Sequence, residues 1–210
     1  MKNSAALLVA AALGFFALSH SASAQQTHKS RKPSAPPTIS SVMNTQLAIV
    51  EHEFVPTAEA MPEDKYNFAP SASMGNYAGV RTFAQEVKHV ATVNFEFYSA
   101  ILGQAPPPGV TSNKQENGPD SIQTKEQILK YLKDSFALGH KAMASLTARN
   151  ATAPLPKPPI SFLNTRLALA SFGCTHAFDH YGQMIEYLRM NGITPPASQG
   201  QPPANPSRTD

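Results

Sequence analysis

The sequence predicts an all-α protein, a four-helix bundle with polar tails on either side of it. Four segments repeat apolar residues at every third or fourth position. Two of these open on a Thr-x-x-Gln capping box, and no run alternates apolar and polar residues convincingly enough for a strand.

The first segment spans about Ser41–Met61 and carries Met43, Leu47, Val50, Phe54 and Ala58 at helical spacing. Pro56 lies inside it, which predicts a kink or an early stop there. The second opens at the box Thr82-Phe83-Ala84-Gln85, continues through Val87, Val90, Phe95, Tyr98 and Ile101, and stops at Gly103. The third opens at Thr124-Lys125-Glu126-Gln127, carries Ile128, Leu132, Phe136, Leu138 and Met143, and is expected to run to about Asn150. The fourth is read from Ser161 to the stop Asn191-Gly192, with Leu163, Leu167, Phe172, Phe178, Tyr181, Ile185 and Leu188 on its apolar positions. Two connections, from Pro62 and from Gly103, are about 20 residues long, enough for the chain to cross the bundle instead of joining antiparallel neighbours.

The ends read differently. Lys2, the apolar run Ala5 to Leu18 and the Ala22-Ser23-Ala24 site have the layout of a cleavable signal peptide over residues 1–24. That run is too short to span a bilayer, and no later stretch offers a stable membrane span, so a periplasmic or secreted protein is expected. Residues 25–38 and the proline-rich tail 195–210 are expected to be disordered, leaving 39–194 as the bundle. Removal of Lys2 leaves 16 basic and 14 acidic residues, a weak excess without a Lys/Arg stripe, so no nucleic-acid partner is expected. Cys174 is alone, which excludes an internal disulfide, and it reads as a small core residue.

Candidate chemistry concentrates in histidines. His176 and His180 stand four apart on the fourth helix, so both rings can reach one ion. His89, among Val87, Val90 and Val93 on the second helix, is the candidate third ligand, although a lone interior histidine also reads as a satisfied core residue. Three neutral imidazoles suit a divalent metal ion, zinc or nickel first, with iron, copper or manganese as further options. Glu86 shares the face of His89 and reads either as an exposed carboxylate or as a group that orients an imidazole. Gln183 falls on the face of His180, as a support for the site or a polar rim residue. Gly182 in mid-helix implies a close helix contact or a functional reason. Glu51-His52-Glu53 reads as a solvated face, His140 has no partner at a useful spacing, and Asp179 and Glu186 read as surface residues.

Met61-Pro62-Glu63-Asp64-Lys65-Tyr66, Arg81-Thr82-Phe83 leading to His89, and His176-x-x-x-His180-Tyr181-Gly182-Gln183 together resemble the DinB-like family of metal-binding four-helix bundles. The likeness covers about residues 40–195. It implies up-down-down-up connectivity and the ligand set His89, His176 and His180. The family's last-helix pattern, roughly N-H-x-x-H-H-R-G-Q, departs here at Thr175, Asp179 and Tyr181. The resemblance implies a metal-dependent hydrolase with a small-molecule substrate and a bound water, or a small-thiol transferase, or a non-catalytic metal-binding module. It also makes a homodimer an option. No catalytic base is identified. Export weighs against thiol transfer, because small thiols are held mainly in reducing compartments.

Overall fold

Among the described residues a threonine side chain begins each α-helix. The computed structural model describes residues 36–110 and 116–200. Within them lie α1 (Ile39–Ala60), α2 (Phe83–Leu102), α3 (Lys125–Ala144) and α4 (Arg166–Met190), with 3-10 turns at Glu63–Lys65 and Pro196–Ser198. The expected boxes at Thr82 and Thr124 are present, and Thr38 with Ser41 adds a third. Each satisfies backbone donors that a helix start leaves without an intrahelical partner. The signal peptide read over 1–24, most of the linker and residues 201–210 lie outside the described residues.

Two helix boundaries differ from the sequence reading, and of the kink or early stop expected at Pro56 the stop does not occur. Helix α1 runs past Pro56 to Ala60 without stopping. Helix α3 ends at Ala144, not Asn150, because side chains compete for its backbone: Ser145 Oγ donates to the Ala142 carbonyl, and Asn150 Nδ2 to that of Ser145. Helix α4 starts at Arg166, not Ser161, where Thr165 accepts from the Ala168 N–H at 3.2 Å. Leu163 therefore sits in the preceding loop, whose Leu155 N–H donates to the Asn164 carbonyl. Residues 195–200, placed in the disordered tail from composition, carry the Pro196–Ser198 turn and a buried Pro195. Proline's fixed φ lowers the cost of ordering such a turn.

Touching pairs give the direction of each helix. Thr92 meets Tyr131, Asn94 meets Ser135 and Tyr98 meets Gly139, so α2 and α3 run parallel. Glu59 meets Lys133, Phe54 meets Phe136 and Glu51 meets His140, so α1 and α3 are antiparallel. Glu86 meets His180, Phe97 meets Phe172 and the Ile101 carbonyl meets Arg166, so α2 and α4 are antiparallel. The order is up-down-down-up, with α1 and α2 each packed between α3 and α4. Among the described residues the fold is all-α, and no helix is long and apolar enough to cross a membrane.

The corner after α1 sets how α2 begins. Tyr66 donates its hydroxyl to the Ala58 carbonyl at 2.7 Å and packs edge-on against Phe83. The Phe83 and Ala84 N–H groups then donate to the carbonyls of Phe68 and Tyr66. Lys125 reaches the Glu59 and Met61 carbonyls at 2.7 Å, tying α3 to the same corner.

Deeper in, Tyr98 is fully buried between two glycines. A Cβ on Gly139 would lie 2.7 Å from its ring, and one on Gly173 3.1 Å from its hydroxyl oxygen. Gly182 has no such neighbour, so a close helix contact does not explain it. Gly139→Ala is expected to destabilise the protein by about 1–3 kcal/mol through overpacking. Gly182→Ala, in an exposed helix interior, is expected to stabilise it by about 1 kcal/mol. Thermal midpoints of the two variants beside the parent check both signs.

Candidate metal centre

Helix α2 is buried on most of its circumference, including at His89 and Glu86, which α3, α4 and the α2–α3 connection enclose. Antiparallel packing then brings His89 against His176 and His180, one turn apart on α4. His176 Nε2 lies 3.2 Å from His89 Nε2 and 3.2 Å from His180 Nε2. The ligating atoms of the three residues all fall within 4.8 Å of one another. His89 and His180 are buried, and His176 is half-buried under the stacked ring of Phe172.

The far side of each ring differs. His89 Nδ1–H donates to the Glu116 carbonyl at 3.0 Å. His180 Nδ1–H donates to Glu86 Oε2 at 2.5 Å. A carbonyl has no hydrogen to give, so His89 carries its hydrogen on Nδ1 and turns its Nε2 lone pair inward, while the Glu86 contact leaves Nε2 of His180 facing the other two rings. His176 Nδ1 is buried with no partner among the described residues. Two nitrogen ligands of a tetrahedral ion at about 2.0–2.1 Å stand about 3.3 Å apart, close to the spacing here. The donor set therefore fits one divalent ion, and no fourth His, Cys, Asp or Glu joins the cluster among the described residues.

A sequence model of the DinB superfamily matches residues 46–184. The chain belongs to the DinB superfamily. No curated protein matches it. The matched span carries all three histidines of this DinB-superfamily chain, together with Glu86 and the Glu116 carbonyl.

A polar cleft of about 670 Å³ lies behind the rings, lined by Arg81, Gln85, Glu86, Glu116, Asn117 and Gln183 among others but by none of the three histidines. Glu86 and Glu116 thus face the cleft and back two of the histidines. Arg81 donates from Nε to Asn117 Oδ1 at 2.8 Å, and its carbonyl accepts from the Tyr187 hydroxyl. Glu116 sits at φ 54, a left-handed conformation that non-glycine residues seldom adopt. Its connection is pinned further by Lys88, which donates to the carbonyls of Pro119 and Ile122.

Glu86 is buried, against its reading as an exposed carboxylate, because α4 closes over that face of α2. Of Glu51-His52-Glu53 only His52 is exposed. Glu51 Oε2 lies 2.7 Å from His140 Nε2, and Glu53 accepts from the Tyr181 hydroxyl at 3.0 Å. His140 thus has partners, Glu51 and Asn44, supplied by α1 instead of by its own helix. Tyr181, where the family pattern has arginine, is turned toward α1. Asp179 and Glu186 are exposed, and Gln183 donates to Asp179 while lining the cleft. Cys174 is buried in the core, and burial pushes its thiol up to about 11. The Glu116 carbonyl left no signal in the sequence, since any residue type carries one.

Burial, then the Arg81 guanidinium, lowers His89 to about 4, with the Glu116 hydrogen bond opposing. Burial, then the His180 and His89 rings, lowers His176 to about 3. Both are therefore neutral near pH 7, the form that ligates metal. In the unfolded chain a histidine titrates near 6.5, so acid protonates that state first. The stability these two rings contribute is complete above about 6.5 and lost as pH falls toward the folded values. Urea unfolding in excess chelator, from about pH 8 to about pH 4.5, should show the midpoint falling below about pH 6.5. The double variant His89→Gln/His176→Gln should flatten that fall.

Proposed function

We propose that this DinB-superfamily protein is an exported metal-dependent hydrolase whose divalent ion is held by His89, His176 and His180. The observation that carries this is the convergence of three Nε2 atoms, with that of His176 3.2 Å from each of the other two. Three protein ligands with a further position for water are the usual arrangement of catalytic zinc sites, whereas structural sites are closed by a fourth ligand. A divalent ion held there supplies Lewis acidity, which polarises a carbonyl or phosphoryl group and lowers the pKa of water.

The chain's own residues do the rest. The imidazoles of His89 and His176, held neutral near pH 7 by burial, present lone pairs without a proton having to leave. Glu86 and the Glu116 carbonyl keep two of the rings turned inward. The cleft is of a size that takes a small molecule, and its Arg81, Asn117 and Gln183 suit a polar substrate. Zinc or nickel is the proposed ion. Export rests on the signal-peptide layout of residues 1–24.

Metal analysis of the purified protein tests the site. About one ion per chain is expected in the parent, and a strongly reduced content in His176→Ala. Unchanged content in the variant, or a parent that takes up no ion, sinks the assignment. Hydrolysis of a panel of chromogenic esters, amides and phosphoesters should be abolished by chelation and restored by zinc or nickel. A metal-loaded protein inactive on the whole panel favours the non-catalytic module. Fractionation of expressing cells, with sequencing of the mature amino terminus, is expected to find Gln25 first in the periplasm or medium.

A further inference from the structure

Glu86 has an environment that apolar packing does not explain. Its side chain is 3% exposed, in the first turn of α2, where the helix dipole favours negative charge. Among the described residues its one hydrogen-bond partner is His180 Nδ1, and no Lys or Arg pairs with it. A buried carboxylate is costly unless it is paired and hydrogen-bonded, so this one depends on the His180 ring. The opposite nitrogen of the same imidazole points into the three-histidine cluster. A divalent cation there would sit one ring-width from the carboxylate and offset its charge.

The three histidines are also supported unequally. His180 is backed by a charged side chain, His89 by a neutral backbone carbonyl, and His176 Nδ1 by no partner among the described residues. A hydrogen bond from the far nitrogen to an anion raises the donor strength of a ligating imidazole and locks its orientation. A backbone carbonyl does this less strongly, since charge-assisted hydrogen bonds are roughly twice as strong as neutral ones.

We propose that Glu86 is the positioning residue of the metal centre, making His180 its anchoring ligand through the Nδ1–H to Oε2 hydrogen bond. This rests on the three-histidine reading above and goes beyond it by assigning a residue that does not touch the ion. Metal affinity therefore depends on a side chain of α2 that reaches the ion only through α4.

The test uses purified parent, Glu86→Gln and Glu86→Ala proteins. Zinc affinity is measured by competition with a chromogenic chelator, and the visible absorption of the cobalt-loaded forms is recorded. Nitrogen NMR follows His180 Nδ1 with His89 Nδ1 as the internal reference. Glu86→Ala is expected to bind zinc about 10- to 100-fold more weakly, and Glu86→Gln, whose amide oxygen still accepts, to lose less. Cobalt absorption and the His180 signal should both move while His89 stays. Should Glu86→Ala fail to fold, Glu86→Gln carries the test alone. Affinity within about two-fold of the parent, with unmoved cobalt absorption, overturns the role of Glu86 and leaves the three-histidine site standing. A parent that binds neither zinc nor cobalt overturns both.

Discussion

The ring of Tyr98 occupies space that only two glycines can leave for it, Gly139 on α3 and Gly173 on α4. This wedge fixes how α2 sits against both neighbours. Interiors pack at crystal-like density, so a bulky rigid ring flanked by two residues without side chains admits little sliding. His89 lies nine residues before Tyr98 on α2, and His176 three residues after Gly173 on α4. Because α2 and α4 are antiparallel, His89 on the N-terminal side of Tyr98 lies toward the part of α4 that follows Gly173, where His176 and His180 stand.

Polar groups enter this core with different degrees of provision. Thr92 donates to the Lys88 carbonyl, and Ser135 to that of Leu132, so both are satisfied within their own helices. The Tyr98 hydroxyl and Asn94 Oδ1 have no partner among the described residues. Glu86 and His180 satisfy each other across two helices, which couples the packing of α2 on α4 to the state of the cluster. The buried polar atoms of α2 thus include some that the helix absorbs, some without a partner among the described residues, and some that join it to the site.

Much of the molecule could be read from residue order alone. Periodicity and caps located α2 within a residue, because Thr82, Gln85 and Gly103 each act on their own backbone. The start of α4 was misplaced because Ser161 to Asn164 is apolar enough to pass for helix, while Thr165 holds the cap. The ligand pair on α4 was legible from spacing, and His89 became legible through resemblance to a family. Glu86 was visible but ambiguous, since its burial depends on a helix more than 90 residues away in sequence. His140 was misread for the same reason, its partners Asn44 and Glu51 lying on α1.

The support of His89 by the Glu116 carbonyl has a consequence for how such a centre is inherited. A ligand or a carboxylate is preserved by keeping a residue type, but a backbone carbonyl is preserved by keeping a chain length. Arg81, Lys88 and His89 all grip the stretch from Glu116 to Ile122. A single deletion there would displace the carbonyl by up to one Cα step, about 3.8 Å, more than the 3.0 Å hydrogen bond it makes. Descendants could therefore exchange most side chains of this connection freely while tolerating few insertions or deletions in it. The conserved quantity would be a count of residues, invisible to any pattern written in amino-acid letters.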